Sequence, residues 1–366
     1  MEALPSTLPR PALFTNLQVG RFTAAFFVLV SHVAYYGETY LGVPNAFKEV
    51  TVQYWFRMTV IFLFALSGFV LTHSLQSCTI RSFVGFRLFR LFAPFWIAVA
   101  VVMSVRWSVG NPQSFTWSNL TRSLLLWPSG ASKLIPVLTI EWTLIYELFL
   151  SMAIVPLACI GRTRALGWGA GIWLLLILGK LSMNPYAETA WLPLLVEVPL
   201  SVINVPFLMG ILFYFGMPLV RRYHLATLFL IALTLTAGRL FLETSNGWSL
   251  ILQSTGSTML VAALATGKQL DVKNPFVIAG DWTYGIYLIH VSVFTAFFAL
   301  ILRYQWFPPS NSLVLFGGVL ALAVGSAFGA FECAMYRRVR SAFKVKKPAA
   351  LIAVPIPYRP KLKIAA

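Results

Sequence analysis

Two residues that can do chemistry lie on one apolar stretch near the amino terminus. Arg21 and His32 are separated by ten residues, most of them hydrophobic. On an α-helix this separation makes roughly three turns, so both side chains project from nearly the same face, ~16 Å apart along the axis. An arginine at the centre of a bilayer helix costs about 2.5–3.5 kcal/mol, and intramembrane ionisable residues mark functional sites. The pair therefore predicts a site with a cation and, deeper, a histidine that can act as a general base.

A carboxylate and a second histidine are predicted on other membrane helices. Glu147 has no cation three or four residues away, so its partner must come from another helix or from water. Counting from the expected helix ends puts Glu147 and His32 at similar depth, and a carboxylate there would orient the histidine as a base. The alternative is a Glu147–His32 hydrogen bond that only ties two helices. His290 could face the same cavity or simply bond a neighbouring helix.

Two further arginines could hold phosphate. Arg87 and Arg90 are three residues apart, share a helix face, and are expected at the same inner level as Arg21. Three planar guanidinium groups at one level suit bidentate contacts with phosphate. The alternative is that they only signal topology or anchor lipid headgroups.

These side chains must be positioned by a bundle of membrane helices. The chain has 366 residues, of which 58% are hydrophobic and 11% are charged, whereas about a quarter of residues are charged in globular domains. This composition predicts an all-α polytopic membrane protein with about ten crossings and no separate soluble domain. Apolar windows place the helices near 21–43, 53–75, 88–109, 137–160, 165–182, 198–219, 224–242, 249–267, 275–302 and 312–336.

The net charge of +17 is explained by where the basic residues lie relative to the predicted membrane helices. Basic residues concentrate in every second connection and in the carboxy-terminal tail, which the positive-inside rule makes cytoplasmic, so both termini are predicted inside. We therefore expect a membrane surface rather than nucleic acid as the partner of this charge. Residues 1–340 should form the membrane domain, and 341–366 a disordered or surface-lying basic tail. We expect no removable signal peptide, and the three scattered cysteines support neither disulfides nor a metal site.

Ordered motifs run through nearly the whole chain, from about Asn16 to Arg340. In chain order they are Arg21 with His32, Phe64-Ala-Leu-Ser67-Gly68-Phe69, Arg87 with Arg90, Trp142-Thr-Leu-Ile-Tyr146-Glu147-Leu-Phe and Tyr284-Gly-Ile-Tyr-Leu-Ile-His290. This series resembles the membrane-bound acyltransferase 3 family, whose members O-acylate cell-surface glycans and other extracytoplasmic acceptors. The fourth motif is similar to the signature of exopolysaccharide acetyltransferases within that family.

The resemblance implies a multi-pass transferase of the bacterial cytoplasmic membrane. It implies an acyl group, usually acetyl, taken from cytoplasmic acyl-coenzyme A to a hydroxyl of a glycan or lipid-linked sugar outside. His32 falls on the family's catalytic histidine, and Arg87 with Arg90 on its donor-binding arginines, with Arg21 assisting. Ser67, Tyr146 and His290 are candidates for substrate binding, and no metal is expected.

Two questions stay open at this stage. Because the chain ends soon after the tenth helix, we expect no fused extracytoplasmic hydrolase-like domain, so transfer is completed in the membrane unit or by a separate partner. From the residues alone, a flippase or exporter of a lipid-linked sugar or another anionic amphiphile is the alternative function, because buried charges could also line a passage. Nothing in the sequence indicates the oligomeric state.

Overall fold

The fold is a bundle of α-helices. The computed structural model of the chain describes residues 14–44, 57–108, 116–130, 136–185, 192–240 and 247–343, and these contain no β-strand. The all-α prediction is therefore confirmed for this part. Most of the predicted basic tail, 344–366, lies outside the described residues, as does the stretch 45–56, which includes most of the connection between the first two predicted helices.

Ten helices make up the described part. They are α1 Thr15–Leu41, α2 Arg57–Ser77, α3 Ile80–Ser108, α4 Trp117–Leu124, α5 Glu141–Met183, α6 Val205–Arg222, α7 His224–Leu240, α8 Gly247–Thr266, α9 Pro275–Tyr304 and α10 Asn311–Ala342. The short helix α4 was not expected and lies in the connection between α3 and α5. A single 3₁₀ turn, Val202–Asn204, precedes α6.

Helix α5 crosses twice because it reverses direction near residue 161. The rings of Phe149 and Trp173 lie with centroids 6.1 Å apart, although 24 residues of straight helix would separate them by about 36 Å. Leu157 likewise packs against Gly169. Its two arms, Glu141–Ile160 and Arg164–Met183, are each long and apolar enough to span a bilayer. The described residues hold nine such spans and the shorter apolar helix α7, which confirms the predicted polytopic architecture.

Several helices extend past the apolar windows that predicted them. α1 begins at Thr15 rather than near residue 21, because polar side chains tie its first turn to the connection between α8 and α9. The hydroxyl of Thr15 donates to the carbonyl of Leu270 at 2.8 Å, and the amide nitrogen of Asn16 donates to Gln269 at 3.1 Å. Hydropathy finds only the part of a helix inside hydrocarbon, whereas backbone hydrogen bonding continues into the interface.

Glycines let the helices approach closely where α2 meets α6. A Cβ added at Gly68 would fall inside van der Waals contact with the carbonyl oxygen of Phe207, and one at Gly210 would meet that of Ala65. Small residues at such crossings are typical of membrane bundles, where packing rather than water drives association. Gly68 of the Ser67-Gly68-Phe69 motif therefore serves helix packing.

This crossing makes a stability prediction with a matched control. Gly68→Ala should lower the midpoint of thermal unfolding in detergent, because the added methyl group overlaps the backbone of α6 and overpacking costs about 1–3 kcal/mol. Gly179→Ala, in α5, has nothing within 4 Å of the added Cβ and should leave the midpoint unchanged or raise it, since alanine favours helix. Equal midpoints for the two variants would contradict the packing role of Gly68.

Candidate functional site

The deeper part of the site is a pair of histidines from α1 and α9. Nδ1 of His32 lies 2.8 Å from Nε2 of His290, and the two ring planes are inclined by 22° with their centroids 5.1 Å apart. His290 is 1% exposed. Its Nδ1 lies 2.8 Å from the carbonyl oxygen of Tyr287 and 3.0 Å from that of Ile286, both on its own helix. Each histidine was predicted on its own helix, and the structure brings them together.

Spacing on α9 explains how His290 is held. Tyr284, Tyr287 and His290 recur every three residues and so share one face of the helix. The hydroxyl of Tyr284 donates to the carbonyl of Leu91 on α3 at 2.8 Å, and that of Tyr287 lies 2.7 Å from the hydroxyl of Thr143 on α5. The motif therefore fastens α9 to three other helices, with the histidine directed at α1.

Close contact between α1 and α9 brings the two histidines within reach. A Cβ added at Gly280 would overlap the backbone of Gln18, so the two helices meet at their beginnings. The side chain of Gln18 joins them there, because it donates to Asp281 at 2.9 Å and accepts from Arg21 at 3.3 Å. Glycine is required at position 280 because no side chain fits between the two backbones.

The shallower part of the site is a cluster of charges. Arg87 of α3 forms an ion pair with Glu147 of α5, and its Nε donates to the hydroxyl of Ser151 at 3.0 Å. The charges of Arg87, Arg90, Glu147 and Asp281 all act on Arg21. The three arginines predicted at one level are therefore brought together, and acidic groups accompany them.

Arg90 has a mixed environment. Its guanidinium lies over the ring of Tyr336, 5.5 Å from the centroid, and the charges of Glu332 and Glu147 act on it. Among the described residues, neither Arg21 nor Arg90 forms an ion pair within 4 Å, in contrast to Arg87. Two guanidinium groups are thus held near carboxylates without being neutralised by direct contact, which suits binding of an added anion.

The predicted contact between Glu147 and His32 is wrong. Among the described residues, the carboxylate of Glu147 binds Arg87 and makes no hydrogen bond with His32. Depth was misjudged because α5 begins in the interior of the bundle, where Val137 and Glu141 are fully buried. Residue counting from a surface therefore placed Glu147 at the level of the histidine instead of the arginines. Its partner does come from another helix, as expected.

Two candidates for substrate binding lie elsewhere. Tyr146 has no exposed surface, and its hydroxyl donates to Ser201 at 3.2 Å. Its side chain therefore packs in the core of the bundle, and its role in substrate binding stays a prediction. Ser67 is half-buried on α2, next to the close crossing at Gly68.

Glu332 is a member of the charge cluster that the sequence reading missed. It is 1% exposed on α10, near Arg90 and Cys333. A signal was available, since Glu332 is the one acidic residue of the apolar helix α10 and such residues face the interior of a bundle. Ser151 had no comparable signal, because serine is common in membrane helices. No group of three or more metal-ligating residues lies together among the described residues.

Comparison with known proteins identifies one family. A family model described as an acyltransferase domain matches residues 14–330. The match runs from the residue before α1 into α10 and includes both histidines and all three arginines of the site. No curated protein and no solved structure gives a significant match.

Proposed function

Because the chain belongs to the acyltransferase 3 family, we propose that it moves an acyl group, most simply acetyl, from cytoplasmic acyl-coenzyme A to a glycan hydroxyl outside the membrane. That it is a multi-pass membrane acyltransferase follows from the family and the apolar helices. The proposal includes the identity of the donor and of the acceptor. It also includes the location in the bacterial cytoplasmic membrane and the predicted orientation with both termini inside.

The observation that carries the proposal is the separation of a cationic cluster from a buried histidine along one helix. Arg21 lies in the cluster with Arg87 and Arg90, and His32 follows ~16 Å further along α1. Coenzyme A has an anionic nucleotide end and a long pantetheine arm that ends in the thioester. Phosphates held at the arginines would let this arm carry the thioester toward His32.

The three arginines would not contribute equally to binding of the anionic end of coenzyme A. Arg87 is already held by Glu147 and Ser151, whereas Arg21 and Arg90 form no direct ion pair within the described residues. We assign the main phosphate contacts to Arg21 and Arg90. Arg87 contributes its remaining N–H donors and is kept in place by Glu147.

His32 would act as the general base. It takes the proton from the acceptor hydroxyl as that oxygen attacks the carbonyl carbon of the thioester. The carbon–sulfur bond then breaks, and the departing coenzyme A thiolate takes the proton from His32. The products are the ester and coenzyme A, and no other reactant is consumed. Transfer of the acyl group first to His32 is the alternative order of events.

Binding of the donor to the purified protein tests the proposal. Acetyl-coenzyme A should raise the midpoint of thermal unfolding as its concentration increases, by the equivalent of about 2.7 kcal/mol at 100 times the dissociation constant. ATP at the same concentration serves as the control, because it offers phosphates without the pantetheine arm. A midpoint that rises with a lipid-linked sugar and not with acetyl-coenzyme A would favour a flippase and overturn the proposal. The family match already favours the transferase.

A further inference from the structure

The histidine pair assigns a role to His290. We propose that His290 is a positioning residue that fixes the tautomer of His32, so that Nδ1 of His32 carries the proton and Nε2 carries the lone pair. The inference rests on the proposed function, in which His32 is the base, and it replaces Glu147 as the group that orients His32.

The first step is the proton on His290. Its Nδ1 lies 3.0 Å from the carbonyl oxygen of Ile286 and 2.8 Å from that of Tyr287. Carbonyl oxygens only accept hydrogen bonds, so Nδ1 must be the donor and must carry a proton. Both acceptors belong to the backbone of α9 itself, so this arrangement is maintained as long as the helix is intact.

The second step concerns the other nitrogen of His290. The ring is 1% exposed, and its hydrogen-bond partners are two backbone carbonyls and a second imidazole. A charged ring there would be buried without a countercharge in contact, which is costly, so the neutral form is favoured. A neutral imidazole protonated on Nδ1 has its lone pair on Nε2, and this nitrogen must accept.

The third step derives the tautomer of His32 from that of His290. Because Nε2 of His290 accepts, Nδ1 of His32, 2.8 Å away, donates. Neutral His32 then has its lone pair on Nε2, the atom that would take the proton of the acceptor hydroxyl. A neutral acceptor orients His32 without favouring a protonated resting state, which suits a base that must begin the reaction unprotonated.

Nitrogen NMR reads the tautomer without any activity measurement. The chain has four histidines, so protein labelled with ¹⁵N-histidine gives few signals, and His32→Ala and His290→Gln identify the pair. At mildly alkaline pH we expect both His32 and His290 to carry the proton on Nδ1. His32 protonated on Nε2 would overturn the inference. If the wild-type protein transferred no acyl group, the proposed function would fail while the tautomer could still be read.

Kinetics with three variants tests the consequence. His290→Phe removes the acceptor and should lower kcat by roughly 10–10²-fold at an unchanged affinity for acetyl-coenzyme A, because His32 loses its orientation. His290→Gln can place an amide oxygen near the former position of Nε2 and should recover most of the rate. His73→Phe, in α2, is the matched control, since it makes the same substitution at a histidine outside the imidazole pair, whose Nδ1 lies 3.2 Å from the hydroxyl of Tyr214.

The pattern across these variants decides between positioning and mere structural support. Loss of kcat in His290→Phe with recovery in His290→Gln supports positioning. An equal loss in His290→Phe and His73→Phe would show that the bundle needs these histidines only for packing, and the inference would be overturned. Wild-type kcat in a folded His290→Phe variant would overturn it as well.

Discussion

Replacing His32 with alanine should lower the rate of acyl transfer by about 10²–10⁴-fold, the usual contribution of a general base. Binding of acetyl-coenzyme A should be almost unchanged, because the phosphate contacts lie at the arginine cluster, ~16 Å away along α1. The measurement is transfer of labelled acetyl groups in reconstituted membranes, together with donor binding by calorimetry. A folded His32→Ala variant that transfers at the wild-type rate would remove His32 from the reaction.

A second histidine provides the matched control. His224 is exposed at the beginning of α7, a helix that packs chiefly on α8. His224→Ala makes the same chemical change outside the site and should keep the wild-type rate. Intact-mass spectrometry of acid-quenched protein then separates the two orders of transfer, because an acyl group that stays on His32 adds mass in the wild type and not in His32→Ala.

Local pattern was sufficient to predict the membrane-spanning helices, although not the short helix α4. In hydrocarbon every backbone polar group must be satisfied within its own segment, so an apolar run of sufficient length has to be helical. The same regularity put Arg21 and His32 on one face, and their separation depends only on the rise per residue. The hydropathy pattern also indicated that the chain reverses within α5, because two apolar arms, each long enough to span a bilayer, meet near Arg164.

Partners between helices could not be predicted in the same way. Which residue meets Glu147 depends on the rotation and depth of α3 and α5, and these follow from packing across the whole bundle. Residue counting matched Glu147 with His32 by depth, whereas the recessed beginning of α5 brings Glu147 to Arg87. Similarly, the two possibilities for His290 differed only in the direction of one helix face, which the contact with His32 resolves.

The coupling between Arg87 and Glu147 also determines which arginines give a clear test of donor binding. Removing Arg87 would leave Glu147, whose side chain is partly buried, without its ion-pair partner, and the cost of that unpaired charge would be added to any loss of phosphate contact. Arg21 and Arg90 form no direct ion pair within the described residues. Their substitution therefore reports on the ligand with less disturbance of the protein.

Replacing Arg21 and Arg90 together with glutamine should weaken binding of acetyl-coenzyme A by about 10²–10⁴-fold. Each lost charge-assisted hydrogen bond to phosphate costs about 1.5–3 kcal/mol, and every 1.4 kcal/mol is a factor of ten. Acetyl-pantetheine, which has the thioester and arm but lacks the nucleotide, should bind both proteins equally. Titration calorimetry with the two donors separates loss of the phosphate contacts from general damage to the site.

A second pair of arginines, on the same predicted side of the membrane, controls for the effect of net charge alone. Arg337 and Arg338 are exposed near the end of α10, and replacing both with glutamine changes the net charge by the same amount. This variant should keep the affinity for acetyl-coenzyme A within about twofold, because exposed charges that do not touch the ligand are screened by salt. Equal weakening in the two double variants would mean that the basic face attracts the donor only nonspecifically. The separation between donor anchoring at Arg21 and chemistry at His32 would then have no experimental support.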